Sequence, residues 1–279
     1  MRIPFSFFLM PVYWFALLNT EVNISDAIAV FVILHFFVYP ASNGYNSYYD
    51  RDEQSIGGLK SPPKVTRQLW YLVVLFDILG ILLSLLVNLP FATMIIMYLL
   101  VSKAYSFDKI RLKKYPLIGA LTVIFFQGWF TYTAVQVGVT TDYKFTMSNL
   151  LFGFVSSLFL LGSYPMTQIY QHQEDTRRGD VTLSRMLGIH GTFVFTAVIF
   201  LIASAGTIIL FYWERNIINI FIYFVALVPV NIYFIKWYID YRKGKLVITY
   251  ERTMMLNAMS SMLLSGAFII MKMVNCRWN

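Results

Sequence analysis

Nine runs of predominantly apolar residues fill this chain, and their length limits what it can fold into. They lie at Pro4 to Leu18, Ile24 to Tyr49, Leu69 to Val87, Phe91 to Tyr105, Leu117 to Val139, Leu150 to Tyr170, Ile189 to Tyr212, Ile217 to Tyr238 and Met254 to Val274. A helix crossing the bilayer core uses about 20 such residues. Only helices and closed barrels satisfy every backbone group in lipid, and these runs lack the alternation of barrel strands. An all-α, polytopic membrane protein is expected. The first and fourth runs are short for a crossing, so nine spans is the expectation and eight the alternative.

Composition agrees, since 58% of the residues are hydrophobic and only 13% charged, too few for a soluble surface. In 279 residues the connections must be short, so residues 1–279 are expected to form one bundle domain. No A-x-A-like site follows the first run, which reads as a helix and not as a cleaved signal. The single cysteine, Cys276, allows neither an intrachain disulfide nor a cysteine metal site.

The net charge of +8 suggests nucleic acid at first sight, but the basic residues sit in loops between apolar runs. Eighteen of the 22 fall on one side, among them Arg2, Arg51, Lys64, Lys103, Arg177, Arg178 and Lys243; Lys144, Arg215, Lys272 and Arg277 fall on the other. The positive-inside rule then puts the N-terminus in the cytoplasm and the C-terminus outside, with no nucleic-acid partner.

Two segments on the basic side hold most of the acids and amides. The first, NGYNSYYDRDEQSIGGLKSPP, places Asn46 and Asp50 four apart on one helix face, with Asp52 and Glu53 behind. The second, YQHQEDTRRGDVTLSRMLG, places Gln171 and Asp175 four apart, with Glu174 beside them and Asp180 after a glycine. These oxygens are hard ligands suited to Mg²⁺, which uses one or two carboxylates while phosphate oxygens complete its shell. Facing each other, the two clusters would clamp a diphosphate.

With these motifs the chain resembles the UbiA-type intramembrane prenyltransferases. That family's first motif, NDxxDxxxD, is matched by Asn46 and Asp50, with Ser47 and Gln54 at the other acidic positions and Asp52 or Glu53 as substitutes. Its second, DxxxD before a glycine and a Thr-Leu pair, aligns Gln171 and Asp175 ahead of Gly179 and Thr182-Leu183, with Glu174 as the nearest substitute. Tyr105-Ser106 and Ile110-Arg111-Leu112-Lys113 are similar to its YSxPPxRLK segment, with Phe107, Asp108 and Lys109 departing from it.

The resemblance implies a bundle with a central cavity opening to the cytoplasm, and transfer of a prenyl group from an isoprenoid diphosphate to a hydrophobic, aromatic or lipid acceptor. Asp50 and Asp175 would be catalytic. Asn46, Asp50, Glu53, Gln171, Glu174 and Asp175 would hold Mg²⁺, and Lys60, Tyr105, Arg111 and Lys113 the diphosphate. The expected location is the bacterial cytoplasmic (inner) membrane.

Other readings compete. Asp77, inside LVVLFDILGILL, is an acid at membrane depth and either functional or a hydrogen-bond partner for a neighbouring helix. Asp77, Gln127 and Gln136 would line the path of a transporter. Glutamines at the positions of Gln54 and Gln171 also suit a non-catalytic prenyl-diphosphate-binding protein. His172 lies inside the second motif as a possible base, while the arginines beside it read as topology signals.

Overall fold

The computed structural model describes residues 1–51 and 53–275. Asp52, Cys276 and Arg277, named above, lie outside the described residues. Among the described residues the regular elements are helices. They are α1 (Ile3–Ala16), α2 (Ile24–Asp50), α3 (Arg67–Val87), α4 (Leu89–Ser106), α5 (Pro116–Val139), α6 (Met147–Gln168), the short α7 (His172–Arg178), α8 (Leu183–Trp213), α9 (Ile217–Arg242) and α10 (Tyr250–Val274).

Eight of these are long and apolar enough to cross a membrane, and only α1 and the loop helix α7 fall short. The fourth run thus reaches full length, whereas the first does not. Yet α1 runs from one end of the bundle to the other. At one end Arg2 donates to the Asn43 carbonyl at 3.0 Å and the Asn46 Oδ1 at 2.6 Å; at the other the Thr20 carbonyl accepts from Lys272 at 2.9 Å. A 3₁₀ turn at Phe7–Leu9 stretches it, because such turns rise about 2.0 Å per residue against 1.5 Å in an α-helix.

Polar residues set the helix starts. The Asn23 side chain accepts from the amides of Ser25 and Asp26 to open α2, and Asn88, Thr146, Thr182 and Thr249 cap α4, α6, α8 and α10. The Asn88 Nδ2 also donates to the Val137 carbonyl at 2.9 Å, tying the start of α4 to the end of α5. Gly188 has φ 66° and ψ 171°, so α8 is kinked there and its continuous span starts at Ile189, where the apolar run begins.

α5 lies at the centre, with 56% of its most apolar stretch buried, while α3 and α9, at 17%, are peripheral and turn Leu86, Phe221 and Val228 outward. Such apolar exteriors fit lipid, and the chain is an integral membrane protein. Phe15, Tyr132, Phe152, Phe211, Tyr223 and Phe268 form much of the buried core. At Gly128 a side chain would meet the Ser157 backbone at 2.6 Å, so this glycine lets α5 lie against α6. A π-helical turn at Phe125–Phe130 contains that glycine and brings Phe126 and Gln127 to the central cavity.

Two candidates from the transporter reading lie elsewhere. Asp77 pairs with Lys103 at 2.8 Å across α3 and α4, and the Lys103 ammonium sits 4.6 Å from the Tyr45 ring centre. Gln136 donates to the Ala16 carbonyl and the Asn19 Oδ1 at the end remote from Arg2. Both are helix-to-helix ties, as buried polar groups in lipid require.

Candidate active site

A cavity of about 370 Å³ opens at the Arg2 end of the bundle. Its mouth is lined by Asn46, Asp50, Lys113, Gln171, Glu174, Asp175 and Asp180, and its depth by Phe8, Phe15, Phe126, Phe159, Phe200 and Phe268. One end therefore carries the charged side chains, and the other is mainly aromatic and apolar with a few neutral polar groups such as Gln127.

Asp50 is the last residue of α2, and Arg51, at φ 49°, caps that helix in the left-handed region and turns the chain away. The loop doubles back at the Ile56–Leu59 bridge, where Phe5 packs against Gly57 and Gly58, so α1 braces the first motif. Arg111, also left-handed at φ 41°, opens the 3₁₀ turn Leu112–Lys114. Lys113 thereby reaches Asp50 as an ion pair, with side-chain exposures of 13% and 9%.

The second motif folds as α7, which ends at left-handed Gly179 with φ 72°. That turn brings the Asp180 amide to the Asp175 carbonyl at 2.9 Å and leaves the Asp180 carboxylate 3.3 Å from the Arg111 guanidinium. The Thr182 hydroxyl donates to Asp175 Oδ2 at 3.0 Å. The two motifs are joined directly, since Gln171 Nε2 donates to the Ser55 carbonyl at 3.1 Å. Beneath them the Tyr105 and Tyr164 hydroxyls meet at 3.0 Å.

Burial pushes the Asp175 carboxyl up to about 6; the Thr182 hydrogen bond opposes this, and the neighbouring Asp180 and Glu174 charges reinforce it. A cation placed there would relieve all three carboxylates. Among the described residues no three His, Cys, Asp or Glu side chains are gathered into a ready-made metal cage. The donor set fits a hard divalent ion that takes part of its shell from a bound anion.

Asn46, Asp50, Tyr105, Lys113, Gln171, Glu174 and Asp175 thus share one cavity. Glu53 and Lys60 do not. Glu53 is exposed, and Lys60 forms an ion pair with Glu251 of α10 outside the cavity. Arg111 stands one layer back, behind Asp180. Asn46 already accepts from Arg2 and donates to Ser106 Oγ at 2.9 Å, which ties α1, α2 and α4 together. Ser47, at an acidic position of the family motif, is buried away from the cavity and Gln54 is exposed. His172 bonds Ser184 at 2.7 Å instead of facing the mouth. Sequence reasoning took Arg2 as a topology signal and placed Asp180 in the second cluster without counting it among the metal ligands.

The UbiA prenyltransferase family matches residues 8–257, and the chain belongs to that family. No curated protein matches it. Among solved structures it is similar to a UbiA homologue from Aeropyrum pernix K1, at 19% identity and a TM-score of 0.70 over 98% of this chain and 99% of that one. It is also similar to a UbiA homologue from Archaeoglobus fulgidus bound to GPP and Mg²⁺, at 14% identity and a TM-score of 0.67 over 97% and 96%. A digeranylgeranylglyceryl phosphate synthase structure aligns at 19% identity and a TM-score of 0.61 over 98% and 94%.

Proposed function

We propose that this chain is a membrane-embedded prenyltransferase that moves a prenyl group from an isoprenoid diphosphate to an aromatic or lipid acceptor. The observation that carries this reading is that Asp50 and Asp175, from opposite halves of the sequence, line the charged mouth of a cavity whose depth is aromatic and apolar. The A. fulgidus homologue bound to GPP and Mg²⁺ supports the same assignment of ligands.

When bound, Mg²⁺ offsets the charge that builds on the departing pyrophosphate. Asp50, Asp175 and Glu174 would hold it, with Gln171 supplying an uncharged oxygen. Lys113 moves from Asp50 to the diphosphate as a point charge, and Arg111 holds Asp180 in place. Phe8, Phe126 and Phe159 present π faces to the allylic carbon and exclude water from it. The allylic C–O bond breaks with its electron pair leaving on pyrophosphate. The acceptor bonds to the allylic carbon and loses a proton.

Residues 1–279 act as one domain in this reading. The site faces the cytoplasm of a bacterial inner membrane, with the N-terminus inside and the C-terminus outside. The supporting observation is that Arg2 and Lys272 sit at opposite ends of the bundle, with most of the basic residues on the Arg2 side.

The test is Mg²⁺-dependent pyrophosphate release by Asp50→Ala and Asp175→Ala. Loss of release in each variant, with membrane insertion intact, is expected. Full activity in both removes the catalytic assignment.

A further inference from the structure

The cavity wall built by α10 carries a stripe of polar residues that the diphosphate reading leaves unused. Asn257, Ser260, Ser261, Leu264 and Phe268 all line the cavity, at the spacing of one helix face. Ser261 spends its hydroxyl on the Phe7 carbonyl at 2.8 Å, so it fastens α10 to α1. Asn257 does not resolve in that way, because its Nδ2 is buried and has no hydrogen-bond partner. An unpaired amide donor inside a membrane bundle is costly and calls for a partner, and because Asn257 lines the cavity, a turn of its carboxamide brings that donor to the open space.

The position of Asn257 fixes what it can meet. Met254, three residues earlier, receives the Gly58 amide at 3.4 Å, which sets this part of α10 against the first motif loop. Phe268, eleven residues on, packs on Phe15 with ring centres 5.0 Å apart. Asn257 therefore stands between the charged mouth and the aromatic depth, where an acceptor must lie to reach the allylic carbon.

Charge narrows the acceptor class. Among the described residues, Arg2 and Lys113 are the cations that line this cavity, and both are engaged at the mouth, with Asn43, Asn46 and Asp50. A carboxylate or phosphate held at the level of Asn257 would meet only neutral side chains of α10 and no counter-charge. A carboxamide suits an uncharged oxygen, and Ser260 beside it can add a second neutral hydrogen bond.

We propose that Asn257, with Ser260, anchors an uncharged hydroxyl or carbonyl oxygen of the prenyl acceptor, so that the acceptor is a neutral ring or alcohol and not a carboxylate. This rests on the prenyltransferase reading for the identity of the ligand. Asn257 is a specificity-determining residue in it.

The experiment uses the full chain in lipid nanodiscs, with naphthohydroquinone and its ring-carboxylated counterpart as probes under reducing conditions. Binding is measured without donor by tryptophan fluorescence, and pyrophosphate release is measured separately with Mg²⁺ and prenyl diphosphates. The neutral ring is expected to bind at least about tenfold more tightly than the carboxylated one. Asn257→Leu is expected to erase that preference, Asn257→Gln to restore part of it, and the KM for the donor to stay within about twofold. Equal binding of the two rings by the unaltered protein, preference for the carboxylated ring, or unchanged binding in a folded Asn257→Leu variant overturns the anchor. Absence of pyrophosphate release with every donor, while Asn257-dependent binding persists, defeats the prenyltransferase reading and leaves the anchor standing.

Discussion

The Lys113 ammonium rests on the Asp50 carboxylate, joining the loop after α4 to the last residue of α2. Both side chains are largely buried, and a divalent cation arriving at Asp50 competes with the lysine for that carboxylate. Replacing Lys113 by Met is expected to raise Mn²⁺ affinity of the donor-free protein several-fold, measured by electron paramagnetic resonance titration. The same change should weaken prenyl diphosphate binding by about tenfold, or about 1.4 kcal/mol, because the lysine's second role is lost.

Asp175 gives a pH dependence. Its carboxyl is raised to about 6, so the folded, metal-free protein holds this proton more tightly than the unfolded chain does. A group shifted upward contributes most to stability at low pH and loses that contribution as pH rises through its folded value. The metal-free protein should thus gain in melting temperature from Asp175→Asn at pH 7 and not at pH 4.5. Divalent-ion affinity of the unaltered protein should climb between pH 5 and 7, because the metal must displace this proton.

Gly188 sits at φ 66° and ψ 171°, a backbone region that is essentially glycine's alone. The kink it makes lets the Thr192 hydroxyl reach the Gly188 carbonyl at 2.8 Å and places Ser184 within 3.0 Å of Thr192. Gly188→Ala should cost about 1–3 kcal/mol of stability, read as a lowered melting temperature in detergent.

Phe15 and Phe268 close the apolar depth of the cavity with their rings 5.0 Å apart. Phe268→Ala removes one side of that closure, and the freed space should accept a longer prenyl chain. Competition between short and long prenyl diphosphates should shift toward the longer donor, with total pyrophosphate release little changed. An unaltered ratio would show that the tail does not run toward Phe268.

Much of this was legible in the sequence. Apolar runs of span length carry their own physical reason, so the bundle followed from them, and α1 stayed ambiguous because its length alone does not reveal that its ends are tied to Asn46 and to Lys272. Asn46, Asp50, Gln171 and Asp175, which line one cavity, were grouped by four-residue spacing, which local helix geometry preserves. Glu53 and Lys60 were grouped with them by proximity in sequence, but Arg51 turns the chain away after Asp50 and Glu251 of α10 captures Lys60. The contacts of Arg2 and Asn257 join distant helices, which spacing along the chain does not encode.

In the proposed reaction Asp50 and Asp175 act on one magnesium-bound diphosphate. Calorimetric binding of an unreactive prenyl thiolodiphosphate with Mg²⁺, to the unaltered protein, to Asp50→Asn, to Asp175→Asn and to the double variant, tests it most directly. Each single change is predicted to weaken binding by at least about tenfold, and the double variant to lose markedly less than the two losses combined, because both groups serve one ligand. Strictly additive losses, or unchanged affinity in either single variant, would contradict it.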